Sequence, residues 1–158
     1  MSKKVAIIGI GNTLRRDDGI GIIILESLLK FYQREGVAYL DFGIASFDLA
    51  HRMQDYDSVL LIDGVNAGLS PGELKIFELK DAEYNLKNPA MSTHELSLKD
   101  IFEFSKNFNL KARIYVAGIQ VGDTSFGEGL SGALEKKKEE IAGKISAFID
   151  KNILSTAI

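Results

Sequence analysis

The chain is predicted to be an α/β protein, a three-layer α/β/α sandwich around a mostly parallel sheet with one antiparallel strand. Three observations carry this. Short β-branched runs such as Val5-Ala6-Ile7-Ile8 alternate with longer runs of helical periodicity, the pattern of parallel strands joined by crossing helices. At 158 residues, 46% hydrophobic and 26% charged, the chain has the size and composition of one ordinary globular domain, expected to span 1–158. The turn Ser70-Pro71-Gly72 separates two strand-like runs with no room for a helix, so an antiparallel strand is expected there.

Taken in order, strands are expected over 4–8, 37–42, 58–62, 73–77 and 113–117. The strongly apolar stretch 20–32 is expected to be a helix packed on the sheet, followed by helices over 47–54, 98–107 and 134–151. In the last of these, Leu134, Ile141, Ile145, Phe148 and Ile149 recur at helical spacing and make one apolar face. The run Lys136-Lys137-Lys138-Glu139-Glu140 lies on the other face, where water solvates it. Residues 81–92, polar and containing Pro89, form the most loop-like stretch, and the tail Ser155-Thr156-Ala157-Ile158 is expected to fray.

Composition narrows the function classes. A net charge of −3 and a pI near 5.4 provide no basic field for nucleic acid. The absence of cysteine removes disulfides, thiolate metal sites and a thiol nucleophile together. The N-terminal apolar run is too short for a signal peptide and no stretch reaches the length of a membrane span. A soluble, cytoplasmic protein without membrane contact is the expectation.

The stretch GIGNTLRRDDGIG, residues 9–21, joins the first strand to the first helix. A glycine turn in that place often holds a phosphate. This one lacks the third glycine of a dinucleotide fingerprint, where Leu14 stands, and the lysine of a P-loop. It also carries Asp17 and Asp18, which would repel an anion at the helix start. One acid suffices as a cap, and capping is the plain structural role for the pair. The second acid asks for a further role.

Other carboxylates follow the strands. Asp41 is expected to end the second and Asp63 the third, at the carboxyl edge where α/β proteins bind ligands. Asp18 and Asp63 could therefore converge. Of the two histidines, His51 belongs to an amphipathic segment with Arg52, Asp55 and Asp57 and reads as a solvated helix face. His94 stands at a loop-to-helix junction, with Ser92 and Glu95 in capping-box spacing. Two carboxylates and one imidazole suit a divalent transition metal with open positions, zinc or nickel by ligand type.

Two decoys are set aside. Gly68-Leu69-Ser70-Pro71-Gly72 spells the serine-hydrolase elbow, but that motif needs a helix directly after the serine, and Pro71-Gly72 turns into a strand instead. Asp41-Phe42-Gly43 spells a kinase magnesium motif without the other kinase elements.

Several motifs then occur in order: Gly9-Ile10-Gly11-Asn12 with Asp17-Asp18-Gly19 and Gly21, Leu60-Leu61-Ile62-Asp63-Gly64-Val65, Pro71-Gly72, Ser92-Thr93-His94-Glu95-Leu96, Gly118-Ile119-Gln120, and Phe126-Gly127-Glu128-Gly129-Leu130-Ser131. The set resembles the nickel-iron hydrogenase maturation endopeptidases. The resemblance implies a cytoplasmic, monomeric processing protease that removes the C-terminal extension of a hydrogenase large-subunit precursor. It implies recognition of nickel already carried by that substrate, with no cofactor tightly bound to the protease itself. Carried over position by position, the metal-contacting and catalytic residues are Asp18, Asp63 and His94, with Asp17 the reader only if the loop register shifts; apart from the resemblance, the need for a base makes Asp41 the candidate accessory carboxylate. The family often has glutamate where Asp18 stands. It usually has Asp-Gly-Gly-Thr where this chain has Asp41-Phe42-Gly43-Ile44, and a proline is common where Val121-Gly122-Asp123 follows Gln120. The alternative from another class is a noncatalytic metal-sensing or escort protein of the same fold; a nucleotide-binding domain is disfavoured by the acidic loop.

Overall fold

The computed structural model describes residues 3–43, 48–82, 98–107 and 109–155. Five strands, β1 (Val5–Gly9), β2 (Val37–Asp41), β3 (Ser58–Val65), β4 (Leu74–Glu78) and β5 (Arg113–Gln120), form one sheet in the order β2-β1-β3-β5-β4. The pairs β1–β2, β1–β3 and β3–β5 are parallel, and β4 joins the β5 edge antiparallel. The Ser70-Pro71-Gly72 turn makes this last pairing possible: Gly72 has φ +90° and its N–H donates to the Gln120 carbonyl at 2.8 Å.

Helices α1 (Ile20–Phe31), α2 (Asp48–Met53), α3 (Leu98–Asn107) and α4 (Gly132–Phe148) cover the two faces. Strand residues alternate between the faces, and the core divides accordingly. Val5, Ile7, Leu60, Ile62, Tyr115 and Ala117 pack with residues of α1 and α4. Ala6, Ile8, Val59, Leu61, Val65 and Val116 pack with Leu49 and Met53 of α2 and Ile101 of α3. The three-layer α/β/α architecture is therefore the one the sequence predicts.

The largest departures from the expected boundaries are in β3, β5 and the last helix. Strand β3 runs three residues beyond Ile62, through Asp63 and Gly64 to Val65, and β5 runs beyond Ala117 to Gln120, because the two extensions pair with each other from Asp63↔Gly118 to Val65↔Gln120. Asp63 consequently lies inside its strand and does not end it. The last helix starts at Gly132 and passes at Ile149–Leu154 into a π-helical turn, whose Ile149 and Ile153 continue the buried face. Arg34 clasps this end, its guanidinium donating to both Asp150 carboxylate oxygens at 3.0 and 2.9 Å. No helix of the described residues is long and apolar enough to cross a membrane.

Candidate active site at the carboxyl edge of the sheet

The glycines of the 9–21 loop exist for close approach. A Cβ on Gly21 would collide with the carbonyl oxygens of Ile10 and Ile62, and one on Gly9 would meet the Gly21 carbonyl at 2.7 Å. The first turn of α1 thus lies directly on the backbone just after β1 and within β3. Between strand and helix, Arg16–Gly19 forms a single 3-10 turn. The Asp18 carbonyl of this turn sits against Gly11, and the Asp17 carbonyl faces Gly64. The turn thereby bridges the carboxyl ends of β1 and β3.

The two acids of this turn have different jobs. The N-cap positions of the turn and of α1 are Arg15 and Gly19 rather than the acids, and neither makes a side-chain cap. Asp17, fully buried, reaches across to the loop between β5 and α4. Its Oδ2 accepts from the backbone N–H of Gly122 and of Asp123, both at 2.9 Å, and from Ser131 Oγ at 2.8 Å. Its Oδ1 accepts from the Ser131 N–H at 2.7 Å. With four donors on two oxygens, Asp17 is a latch. Charge-assisted bonds to backbone amides are the strong kind.

Backbone bonds continue the seam. Asp17 N–H donates to the Asp123 carbonyl, Arg16 N–H to the Gly127 carbonyl and Gly127 N–H to the Leu14 carbonyl, at 3.0, 3.0 and 2.9 Å. The Arg16 guanidinium packs flat on Gly127, where a Cβ would lie 2.7 Å from it, and its Nε lies 3.8 Å from Asp123 Oδ2. Hydrogen bonds from the Ser125 hydroxyl and backbone N–H, with Arg16 nearby, hold the Asp123 carboxyl below the usual carboxylate range.

Asp18 and Asp63 are 3% and 1% exposed. Asp63 shares the β3 alternation of Leu61 and Val65, so it projects to the face covered by α2 and α3. Its register partner on β5 is Gly118, which places no side chain beside it. The structure thus brings two buried carboxylates to one edge. Asp41, which ends β2 as expected, is exposed; its Oδ1 accepts from the Gly43 N–H at 2.8 Å and shapes the turn that follows. His51 is exposed on α2. His94, with Ser92 and Glu95, lies outside the described residues. Among the described residues, no three carboxylate or imidazole side chains gather closely enough to hold a metal ion.

One organising residue escaped the sequence reading. Gln120, 5% exposed, accepts on Oε1 from the N–H groups of Ala67 and Leu69, and donates from Nε2 to the Val121 carbonyl at 2.9 Å. It fixes the loop after β3. Its place in the Gly118-Ile119-Gln120 motif was the available signal. Ser70 lies in that same connection, in the turn that leads into β4, so the serine-elbow pattern has no structural counterpart.

A doubly covered, mostly parallel sheet with buried carboxylates at its carboxyl edge, in a chain without cysteine, defines a carboxylate-centred site. Comparison with known proteins makes this specific. The hydrogenase maturation protease family model (HycI) matches residues 22–147, and the chain belongs to that family. The hydrogenase expression/formation protein HupM of Azotobacter chroococcum is 27% identical over 159 residues, covering 98% of this chain and 76% of that protein. HoxM of Azotobacter vinelandii is 33% identical over 98 residues, covering 61% of this chain and 47% of its own length, so the match spans about half of that relative. The crystal structure of the [NiFe] hydrogenase maturation protease HycI from Thermococcus kodakarensis superposes with a TM-score of 0.74 at 25% identity, covering 95% of this chain and 94% of the other. The hydrogenase maturating endopeptidase HybD from E. coli shares the fold, with a TM-score of 0.79 at 23% identity and 94% of each chain covered.

Proposed function

We propose that this protein is an endopeptidase that removes the C-terminal extension of a nickel-loaded [NiFe]-hydrogenase large-subunit precursor, reading the nickel that the substrate carries. The observation that carries the proposal is the division of labour between neighbouring acids. Asp17 serves as a latch, and Asp18 and Asp63 are the further buried acids at the ligand edge of a fold shared with maturation proteases.

Buried carboxylates at a strand edge are suited to meet a cation that arrives with its own protein, because the cation offsets the cost of holding acids out of water. Nickel belongs here to the substrate and not to the enzyme. Such a centre acts as a checkpoint: a precursor without metal offers the acids nothing to bind. His94 completes the set in this proposal. It precedes Leu98, the first residue of α3, by four positions, and α3 packs on the face to which Asp63 projects. Peptide hydrolysis then needs a polarised carbonyl and an activated water, and a carboxylate can serve as the base. Asp41, exposed at the same edge, is the accessory carboxylate proposed for that role.

The test is intact-mass analysis of nickel-loaded and nickel-free precursor after incubation with the purified protein. Loss of a C-terminal peptide from the loaded form alone is the expected result. Binding of the loaded form without any cleavage would instead make the protein a metal-sensing escort.

A further inference from the structure

The latched seam ends in a feature that the acid site does not use. Leu14 and Phe126, from the two different loops, are 57% and 80% exposed. The backbone on either side of them is fixed: the Leu14 carbonyl accepts from Gly127, and Arg16 donates back to the Gly127 carbonyl. Arg15, between them in the seam, donates from Nε to the Thr124 carbonyl at 3.0 Å and lies 5.7 Å from the centroid of the Phe126 ring. Its two Nη groups have no hydrogen-bond partner among the described residues. Arg16, by contrast, is occupied with Gly127 and Asp123.

We infer that Leu14, Arg15 and Phe126 form the surface on which the substrate protein docks beside the acid site, receiving a precursor segment in which an apolar side chain neighbours a carboxylate. The inference rests on the processing function proposed above. Large apolar side chains held rigidly in water mark interaction surfaces, and aromatic and arginine residues dominate the energetics of protein interfaces. The outward guanidinium edge fits the planar fork of a carboxylate, which sets the chemistry of the partner. Continuity decides the occupant. Leu14 and Arg15 lead directly into the turn that carries Asp18, and the Phe126 loop is the one Asp17 latches, so a protein chain engaged at Asp18 passes over this ledge. The other exposed aromatic among the described residues, Phe31, belongs to a groove between α1 and α4 lined by Ser27, Tyr32, Glu139 and Ala142. Lys30 Nζ lies 5.3 Å from the centroid of the Phe31 ring, but this groove has no continuity with the turn that carries Asp18.

The experiment is steady-state cleavage of nickel-loaded precursor by the wild type, the Leu14→Ser/Phe126→Ser double variant, Phe126→Leu and Arg15→Gln, each first checked for an unchanged thermal midpoint. The double variant is expected to raise KM on the order of tenfold with kcat within about twofold, since apolar contacts at an interface centre carry this much binding energy. Phe126→Leu is expected to retain most of the affinity, and Arg15→Gln to flatten the rise of KM with salt. Unchanged KM in the double variant and in Arg15→Gln overturns the docking surface while leaving the processing function standing. A fall in kcat alone overturns it as well, because that assigns the ledge to the reaction. A wild type that neither cuts nor binds the precursor overturns the processing function and the docking surface with it.

Discussion

The two edges of the sheet treat charge in opposite ways. At the amino edge, Arg113 opens β5 and its guanidinium donates to both oxygens of Glu78, each at 3.2 Å, while Lys80 adds a contact at 3.7 Å. Arg113 is half exposed there, while Glu78 is 14% exposed, so water screens the pair from the arginine side. At the carboxyl edge, Asp17, Asp18 and Asp63 are all buried, and the partners of Asp17 are backbone amides and a hydroxyl. Charge at the amino edge is paired with an exposed partner at the surface and holds little stability. Acid at the carboxyl edge is costly to bury, and such an expense is met where a fold organises chemistry.

The largest effect is expected at the two acids proposed to meet the substrate. Asp18→Asn or Asp63→Asn should lower precursor cleavage by about a thousandfold in protein that is still folded; discontinuous assays, with denaturation curves on the same preparation, check this. Asp17→Ala should act in the reverse sense. It strands three amides and one hydroxyl of the β5–α4 loop, so stability should fall by about 3 kcal/mol, with hydrogen exchange accelerating at Gly122, Asp123 and Ser131. A smaller loss, about 2 kcal/mol, is expected for Gly21→Ala, whose Cβ pushes α1 off the Ile10 and Ile62 carbonyls. A Tm series against Gly132→Ala, at a position with nothing within contact distance, isolates that clash.

The smallest effect sharpens the contrast at the other edge. The hydrogen bond from Arg113 holds the Glu78 carboxyl below its usual range. A carboxyl whose folded pKa is depressed stabilises the fold above its unfolded pKa and ceases to do so as pH falls through the folded value. Glu78→Gln should therefore cost about 0.5 kcal/mol at neutral pH and nothing in acid below the carboxylate range. Urea midpoints at the two pH values decide it.

The alternation of apolar runs made the five strands and four helices legible, because hydrophobic periodicity is a local property. Strand ends were not. Asp63-Gly64 interrupts the apolar run of β3, yet the strand continues because Gly118, Ile119 and Gln120 are there to pair with it. The same limit applies at the site. That Asp18 and Asp63 lie at one edge of the sheet follows from strand order, which the sequence suggests. That Asp17 is a latch does not, since its partners lie more than a hundred positions away at Gly122, Asp123 and Ser131. A local reading treats an acid before a helix as a cap, and only tertiary structure redirects it.

The packing of α1 against α4 also has a consequence for biosynthesis. Strand β1 and helix α1 come early in chain order, but the apolar side chains they present on one face, among them Ile7, Ile24 and Leu28, are covered by Leu134, Ile141 and Ile145 of α4, which follows all five strands. A ribosome-bound nascent chain therefore carries half of its core uncovered until the final helix emerges, the interval in which aggregation competes with folding. The Arg34–Asp150 clasp, joining the end of the first helix to the end of the last, closes only when that interval is over.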